Sequence, residues 1–427
     1  MDTSVLDYGA IPDSCTLNTT AIQTAIDKCA DSGGGRVTIP SGVYKSGTLW
    51  LKNGVELHLE MGAVLLASEN MDDYNELDAF EQNQSSAVEG WVGKHLIIAL
   101  ECTDCAITGL GTVNGNCTAF VDEFHDYPQY HNGYIWSDGM SELKDRERTR
   151  PGQLICFIEC SHVRVTDVTV RNSPCWSCYF LGCEYVTVRG LRVFNPRWML
   201  NSDGIDIDAS RNVTVSDCII ETGDDAITLR ASENRLKTKR IHCENVTITS
   251  CVLSTQICAF RIGVGTGLIR RLRVSNIVAR DCCNLIQLCT AYSAKGRADM
   301  EDLNFSGISA TGVGRVLEAF AKNGAYIKGV TIENIRSDSC MQSYIDGSDG
   351  KAEDITLRNI DINLYDKYTE MTPALLRERG EWALLLKDAC RIGLDNVSIR
   401  GSLCDSLGTA SAENCHGVGI KDCDFSL

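Results

Sequence analysis

Short segments in which apolar and polar residues alternate recur along this chain at a nearly regular interval. Such alternation is typical of β-strands, whose successive side chains face opposite sides. Ten copies from residue 101 onward combine alternating Val, Ile or Leu with a nearby turn residue. They are Cys105–Gly109, Val163–Val170, Val186–Leu191, Val213–Asp217, Val246–Ser250, Leu272–Asn276, Leu303–Gly307, Val330–Asn334, Ile355–Asn359 and Val397–Gly401. Most successive copies lie about 22 to 30 residues apart, the interval of a parallel β-helix rung. The pattern therefore predicts an all-β parallel β-helix, with residues 1–427 forming one domain.

The N-terminal stretch predicts a short helix followed by strands. Apolar residues recur with helical spacing from Leu17 to Ala30, Asn18 or Thr19 can serve as the N-cap, and Gly33–Gly35 marks the end. Such a helix would cap the open end of a solenoid and cover its sheet edges. The strand-like segments that follow are Arg36–Pro40, Gly47–Leu51, Val55–Leu59 and Ala63–Ala67.

Two insertions interrupt the repeat. Residues 117–150 carry several Phe, Tyr and Trp residues among acidic residues and histidines, and residues 366–382 are rich in charge. Long loops on a solenoid commonly wall its binding face, and aromatic rings can stack on sugars. We therefore expect both insertions to wall a substrate cleft; packing of the aromatic residues within their own loop is the alternative.

The segment Asn201–Asp225 carries the strongest chemical signal. Asp203 follows Asn-Ser, and Asp224 and Asp225 follow a Gly, with one alternating segment between the two acidic positions. If the chain completes one rung between them, they lie on neighbouring strands roughly 4.8 Å apart. Carboxylates at this spacing suit acid–base chemistry, because neighbouring charge keeps one of them protonated while the others stay ionised. Ordinary acidic turns are the alternative.

Composition narrows the classes of partner. The net charge of −17 and the pI near 4.9 argue against nucleic acids and anionic membrane surfaces. No apolar run reaches 18 residues and no signal segment opens the chain, so we expect a soluble protein, although a leader lost from the sequence would leave export open. The 22 cysteines scatter without paired zinc motifs, as small core thiols do in a reducing cytosol.

We therefore expect a cytoplasmic protein with no metal and no cofactor. Two isolated pairs, Cys102 with Cys105 and Cys175 with Cys178, have the spacing of half a zinc site. Calcium held by Asp203 with Asp206 and Asp208 is a further minor alternative.

Several motifs together resemble glycoside hydrolase family 28, the polygalacturonase and rhamnogalacturonase group. They are DYGA, the stretch TTAIQTAIDKCADSGGGRVTIPSGVYKSGTLWLKNGVELHLEMGAVLLAS, RPGQLICFIEC, NSPCW, NSDGID and GDDAI, in the family's order over roughly residues 5–340. The resemblance implies a right-handed parallel β-helix and inverting hydrolysis of a glycosidic bond. It also implies that Asp224 is the general acid and that Asp203 and Asp225 hold and deprotonate the attacking water.

This chain departs from the family at the substrate-binding motifs. The family's Gly-His-Gly corresponds to Gln256–Gly263, which has no histidine, and its Arg-Ile-Lys, which grips a uronate, corresponds to Leu285–Thr290 with Gln287. An unpaired buried carboxylate is unfavourable. Either Arg230 or Arg261 therefore replaces the missing cations, or the sugar is neutral; Arg261 is equally suited to hold a catalytic carboxylate in place.

Two tryptophans are further candidates for contact with sugar. Trp176 ends the NSPCW motif and Trp198 precedes Asp203 by five residues. Core packing is the alternative for each.

The sequence thus predicts a glycosidase acting on an oligo- or polysaccharide, of plant origin and not necessarily polygalacturonate. A transglycosylase that forms a cyclic sugar anhydride and a non-catalytic carbohydrate-binding relative are the alternatives. The sequence does not specify the sugar, endo or exo action, or the oligomeric state.

Overall fold

A computed structural model describes residues 1–87, 89–122, 150–238, 241–291, 296–365, 380–405 and 407–425 of this chain. Within these residues the chain forms two compact units. The first holds residues 1–122, 150–224, 235–238 and 241, and the second holds residues 225–234 and 242–425. The prediction of a single domain over 1–427 stays a prediction.

The first unit is a coil of parallel strands in three rows, in which each strand pairs with its counterpart one rung away. The first row is β1 (Asp2–Ser4), β3 (Gly35–Ile39), β6 (Val55–Leu59), β10 (Ala106–Gly109), β14 (Ser161–Thr166), β17 (Glu184–Arg189) and β20 (Arg211–Ser216). The second is β2 (Asp13–Leu17), β4 (Gly42–Ser46), β7 (Ala63–Ala67), β11 (Thr112–Asn114), β15 (Thr169–Arg171), β18 (Arg192–Phe194) and β21 (Ile219–Thr222). The third is β5 (Leu49–Leu51), β9 (Ile97–Leu100), β13 (Ile155–Ile158), β16 (Cys178–Leu181) and β19 (Ile205–Asp208). A short pair, β8 (Trp91–Val92) with β12 (Arg150–Pro151), lies outside these rows.

The second unit repeats the scheme with two rows of parallel strands. The long strands are β23 (Cys243–Thr255), β25 (Leu268–Arg280), β27 (Asp299–Val313), β29 (Tyr326–Ser339), β31 (Lys351–Leu364), β33 (Ala389–Arg400) and β35 (Gly419–Lys421). The short ones are β22 (Ile227–Ala231), β24 (Cys258–Gly265), β26 (Asn284–Cys289), β28 (Arg315–Phe320), β30 (Ser343–Asp346), β32 (Trp382–Lys387) and β34 (Gly408–Glu413). The predicted parallel β-helix is confirmed.

Apolar side chains stack in register inside each coil. In the first unit one stack consists of Val37, Leu57, Ile107, Val165, Val188 and Val215 on successive strands. In the second unit a similar stack consists of Ile248, Val274, Phe305, Ile332, Leu357 and Leu394. All of these side chains are buried. Every rung therefore buries its apolar face only against its neighbours, which explains why the alternation recurs once per rung.

The Asn and Gly residues that end many repeats mark sharp bends within the long strands of the second unit. Asn334 and Asn359 have left-handed backbone angles, and Gly307 takes the same conformation on a neighbouring strand. Asn and Gly adopt this conformation at low energetic cost. The amide of Asn359 donates to Asn334 Oδ1 at 3.0 Å, so the bends are linked from rung to rung.

One predicted repeat is displaced. Ile355–Asn359 pairs with residues 392–396, whereas the predicted tenth copy, Val397–Gly401, aligns with the segment that begins at Ile360. The predicted tenth copy is therefore the second alternating segment of β33, and the true counterpart of Ile355–Asn359 is the first.

The predicted N-terminal helix is confirmed as α1 (Thr19–Asp31). It buries Ile22, Ala25, Ile26 and Cys29 and contacts the first strands of the first unit. Asn18 precedes it, but the Asn18 side chain bonds to Ile11 and Thr16 rather than to the helix. Short 3-10 turns occur at Val5–Tyr8, Met71–Asp73, Cys117–Ala119, Glu233–Arg235 and Ser402–Asp405. No helix in the described ranges has the length and apolar character needed to cross a membrane.

Candidate active site

Asp203 and Asp224 meet in the first unit. Asp203 lies just before β19, Asp224 ends the stretch 150–224 of the unit, and both are nearly buried, at 2% and 3% exposure. A carboxylate oxygen of Asp203 lies within 4.8 Å of one of Asp224. The backbone N–H of Asn201 donates to Asp224 Oδ2 at 3.1 Å. The stretch of chain between Asp203 and Asp224 thus places the two acidic positions side by side, as the sequence predicts.

A buried arginine holds the loop that carries Asn201. Arg150 has no exposed surface, and its guanidinium donates to the carbonyls of Pro174, Leu200 and Glu89 and to Asn201 Oδ1, the last at 2.8 Å. Asn201 itself has a left-handed φ of 53°, which this bonding helps to fix. Burial lowers the pKa of Arg150, while nearby acidic groups that include Asp224 and Asp203 act in the opposite direction.

Asp225 opens the second unit and has a direct cationic partner there. Its Oδ1 accepts a hydrogen bond from the backbone N–H of Cys258 at 3.1 Å, and its Oδ2 accepts one from Arg261 Nε. Both side chains of this ion pair are almost fully buried. The guanidinium and the backbone N–H together fix the orientation of this carboxylate.

The Asp225–Arg261 pair continues into a buried polar row. Arg261 Nη1 donates to Gln287 Oε1, and Gln287 Nε2 donates to Glu318. Glu318 also accepts hydrogen bonds from Arg315 at 2.7 Å, from Tyr344 at 2.5 Å and from Asn284 at 3.1 Å. The amide of Gln287 is therefore locked in orientation, with its oxygen toward one charged group and its nitrogen toward the other.

The remaining predicted substrate contacts fall into different environments. Trp176 is 3% exposed and packs between Trp91 and Tyr179, with ring centroids at 5.8 and 5.3 Å, so its burial favours core packing. Trp198 is half-buried against a second apolar cluster. Arg230 is half-buried on β22 and takes part in contacts there.

The two minor metal alternatives have little support. Asp206 and Asp208 are buried on β19, and Asp208 accepts a hydrogen bond from Tyr179 at 3.0 Å. Neither they nor any cysteine of the described ranges belongs to a group of three potential ligands close enough to share an ion. Asp203 and Asp224 are the carboxylates that do lie close together in the first unit. Their oxygens are donors of the kind that a hard cation prefers.

Most of the two predicted insertions lies outside the described residues, at 123–149 and 366–379. Their expected role as cleft walls stays a prediction. The described start of the first insertion contributes Cys117, Phe120 and Val121 to a buried cluster with Tyr74 and Met199.

Sequence reasoning missed Arg150 and Glu318 as residues linked to the site. Arg150 opens the RPGQL motif shortly before the buried strand Ile155–Ile158, and a charged residue so close to an apolar strand indicates that it needs a partner. Glu318 lies inside the buried strand segment Arg315–Phe320, where an acidic residue also required a partner.

Comparison with known proteins agrees with this geometry. The sequence profile described as "Glycosyl hydrolases family 28" matches residues 29–255. An exo-poly-alpha-D-galacturonosidase of Dickeya chrysanthemi is 28% identical over 309 residues, which cover 65% of this chain and 50% of that protein. A probable polygalacturonase of Vitis vinifera is 28% identical over 235 residues, 53% of this chain and 44% of that protein. The chain thus spans about half the length of these relatives.

A solved structure shares the fold. The family 28 exopolygalacturonase of Yersinia enterocolitica superposes with a TM-score of 0.70 at 22% identity and covers 98% of this chain and 78% of its own. The family profile covers more than half of the 427 residues and includes both acidic motifs. This chain therefore belongs to the glycosyl hydrolases family 28.

Proposed function

We propose that this protein is a glycosidase that hydrolyses a pectic polysaccharide or oligosaccharide. The observation that carries the proposal is the close, nearly buried pair of carboxylates, Asp203 and Asp224, with Asp225 next in the chain. Carboxylates forced together without solvent divide into protonated and ionised forms, as acid–base cleavage of a glycosidic bond requires. The matched relatives, by their names, act on galacturonans, which supports a pectic substrate.

The environments of the carboxylates support different roles. Asp225 faces the guanidinium of Arg261 and acts as a base toward the attacking water, together with Asp203. Asp224 accepts the uncharged N–H of Asn201 and is the general acid that protonates the leaving oxygen.

Inversion at the anomeric carbon is the stereochemical part of the proposal. Inverting enzymes separate their two carboxyl groups by roughly 6.5–9.5 Å, whereas the closest oxygens of Asp203 and Asp224 lie within 4.8 Å. The assignment of Asp224 as the acid, and of Asp203 and Asp225 as the residues that activate the water, therefore rests on the family resemblance. NMR of the first-formed product tests it: retention of the anomeric configuration would contradict inversion.

The first experiment is a reducing-sugar assay of pectic substrates with wild type and Asp224→Asn. Asparagine keeps an oxygen that can accept the Asn201 N–H but supplies no proton, so we expect the rate to fall by about 10²–10⁴-fold while the fold is kept. Asp217→Asn, on an exposed turn, is the matched control. An Asp224→Asn rate equal to wild type would overturn the assignment, and products without a reducing end would favour the anhydride-forming alternative.

We further propose that the protein works in a reducing compartment such as the cytoplasm. All 22 cysteines lie in the described part of the chain, none of them forms a disulfide, and 17 are buried. Equal unfolding midpoints with and without a thiol reductant would support this proposal, and destabilisation by the reductant would contradict it.

A further inference from the structure

The outward face of the short-strand sheet in the second unit carries a row of polar side chains beside Asp225. Phe260 points into the coil, where its ring lies 6.0 Å from that of Phe305. Neighbouring side chains alternate in a strand, so Arg261 points outward. Strand register then aligns Arg261 with Gln287 and Gln287 with Glu318.

The charges of this row are already matched. Arg261 pairs with Asp225, and Arg315 pairs with Glu318 at 2.7 Å. Gln287 joins the two pairs through both ends of its amide. Two guanidinium groups face two carboxylates, and each group is nearly buried.

A free uronate placed along this row would bring a third carboxylate to two cations that are already engaged. Burial of a carboxylate without a cation is unfavourable, and Glu318 would repel it. Thr228 aligns with Arg261 on the other side, and its buried hydroxyl has no hydrogen-bond partner in the described ranges. An uncharged sugar that offers hydroxyl groups suits this surface better.

We propose that the sugar bound along this row carries no free carboxylate, being either a methyl-esterified uronate or a neutral sugar. The inference rests on the proposed glycosidase function and names Gln287 and Glu318 as the residues that set the charge preference. Arg261 serves Asp225 as a positioning residue, so its own guanidinium is already engaged before a sugar binds.

One exposed cation nearby provides a control. Lys322 follows β28 and places its Nζ 4.5 Å from the ring centroid of Phe320. It lies beyond the row formed by Arg261, Gln287 and Glu318. Lys322→Gln is expected to leave the charge preference unchanged. If this variant loses activity on the free-acid chain but not on the esterified chain, Lys322 recognises a uronate and the proposal is overturned.

The test compares kcat/KM for a galacturonan oligosaccharide in its free-acid form and in its fully methyl-esterified form. A neutral galactan oligosaccharide is the third arm. Wild type is expected to prefer the esterified chain by at least about tenfold. If only the esterified chain is cleaved, the substrate is a methyl-esterified uronate. If both uncharged chains are cleaved, the enzyme selects its sugar by the absence of charge.

Two variants change the charge of the row by different routes. Glu318→Gln removes a negative charge, and Gln287→Lys adds a positive one. Both should raise the rate on free acid relative to ester by about tenfold or more. Glu318→Asp keeps the charge and should move that ratio little. Thermal unfolding shows which variants fold. The test needs only one folded variant of the two that change the charge.

A wild-type preference for the free acid, or a ratio that does not move in a folded charge variant, would overturn the inference. Calorimetric binding to Asp224→Asn separates this outcome from failure of the proposed function. If wild type cleaves none of the three chains, tighter binding of an uncharged chain still supports the inference. Equal or tighter binding of the free acid, or binding of none of them, contradicts it.

Discussion

Two buried arginines support the candidate acid and the candidate base in different ways. Arg261 contacts the carboxylate of Asp225 directly, so its charge acts on the base itself. Arg150 contacts three backbone carbonyls and the side chain of Asn201, so it acts on Asp224 through the geometry of a loop. Loss of the first should mainly change the rate of catalysis, and loss of the second should mainly change stability.

Replacement of Arg261 by Gln should lower kcat by roughly 10- to 100-fold. This loss is only part of what a general base supplies, because Asp225 itself is kept. The Asp225 carboxylate would lose a direct donor, so its orientation toward the attacking water would be less fixed. Arg261→Lys, which keeps the charge, should restore part of the rate. A rate in Arg261→Gln equal to that of wild type would contradict this role.

Replacement of Arg150 by Met should lower the free energy of unfolding by about 3–5 kcal/mol, because three backbone carbonyls lose a buried donor at once. Arg150→Lys keeps the charge but cannot reach all the acceptors. Its free energy of unfolding should therefore lie between those of Arg150→Met and wild type. Urea unfolding followed by tryptophan fluorescence measures both. Wild-type stability of Arg150→Met would contradict this role.

At the scale of elements, a short strap connects distant parts of the first unit. The strap consists of Arg235–Thr238, and Glu159 holds it by accepting hydrogen bonds from the backbone N–H groups of Lys237 and Thr238 and from the Thr238 hydroxyl. Gln82 donates to the same carboxylate. Burial acts to raise the pKa of Glu159, but these hydrogen bonds outweigh it and hold the pKa below its ordinary value of 4.5.

Glu159→Gln should loosen the strap, because an amide offers fewer acceptor sites to the same donors. Trypsin cleavage after Arg235 or Lys237 should then accelerate. Glu101→Gln removes only the exposed 3.4 Å ion pair with Lys237 and is the matched control, expected to change cleavage little. Since the folded pKa of Glu159 is lowered, its stabilisation is present above about pH 4.5 and lost as the pH falls further. Equal cleavage rates in the two variants would contradict the prediction.

The sequence could predict the coil but not all of its parts. Segments such as Val55–Leu59 alternate clearly because one face meets the core and the other meets solvent. Some short strands of the third row, such as Cys178–Leu181, are buried on both faces, so their sequence shows no alternation that predicts a strand. The polar row at Glu318 could not be predicted from the sequence either, because its contacts depend on the register of strands across several rungs.

For the candidate site, local motifs were enough to select the three aspartates but not their partners. Asp203, Asp224 and Asp225 stand in short motifs that any single rung displays. Arg150 lies 51 residues from Asn201, and Arg261 lies 36 residues from Asp225. Such distant contacts follow from the length of each rung and insertion, which the alternation does not fix.

At the scale of the whole molecule, a buried histidine makes stability depend on pH. His95 bonds to the carbonyl of Gln153 at 2.8 Å and to Asn83 at 2.9 Å, and burial lowers the pKa of His95 to about 4. The unfolded chain, with an ordinary pKa near 6.5, binds the proton more strongly. Stability should therefore fall as the pH drops from about 6.5 toward 4.

Between pH 7 and pH 5 this group should contribute a loss of about 2 kcal/mol to the free energy of unfolding. Urea unfolding at the two pH values measures the loss. His95→Gln should remove most of this difference, and His162→Gln, at an exposed position, should leave it intact. An unchanged pH dependence in His95→Gln would assign the effect to other groups.

The distribution of thiols gives this protein an internal set of reporters. Buried cysteines such as Cys105, Cys183, Cys251 and Cys340 lie on successive parts of the coil, whereas Cys15 is exposed. A thiol-reactive reagent should label Cys15 at once and each buried thiol only when its own rung opens transiently. Peptide mass spectrometry at increasing reaction times would then reveal the order in which the rungs open, without the introduction of any probe.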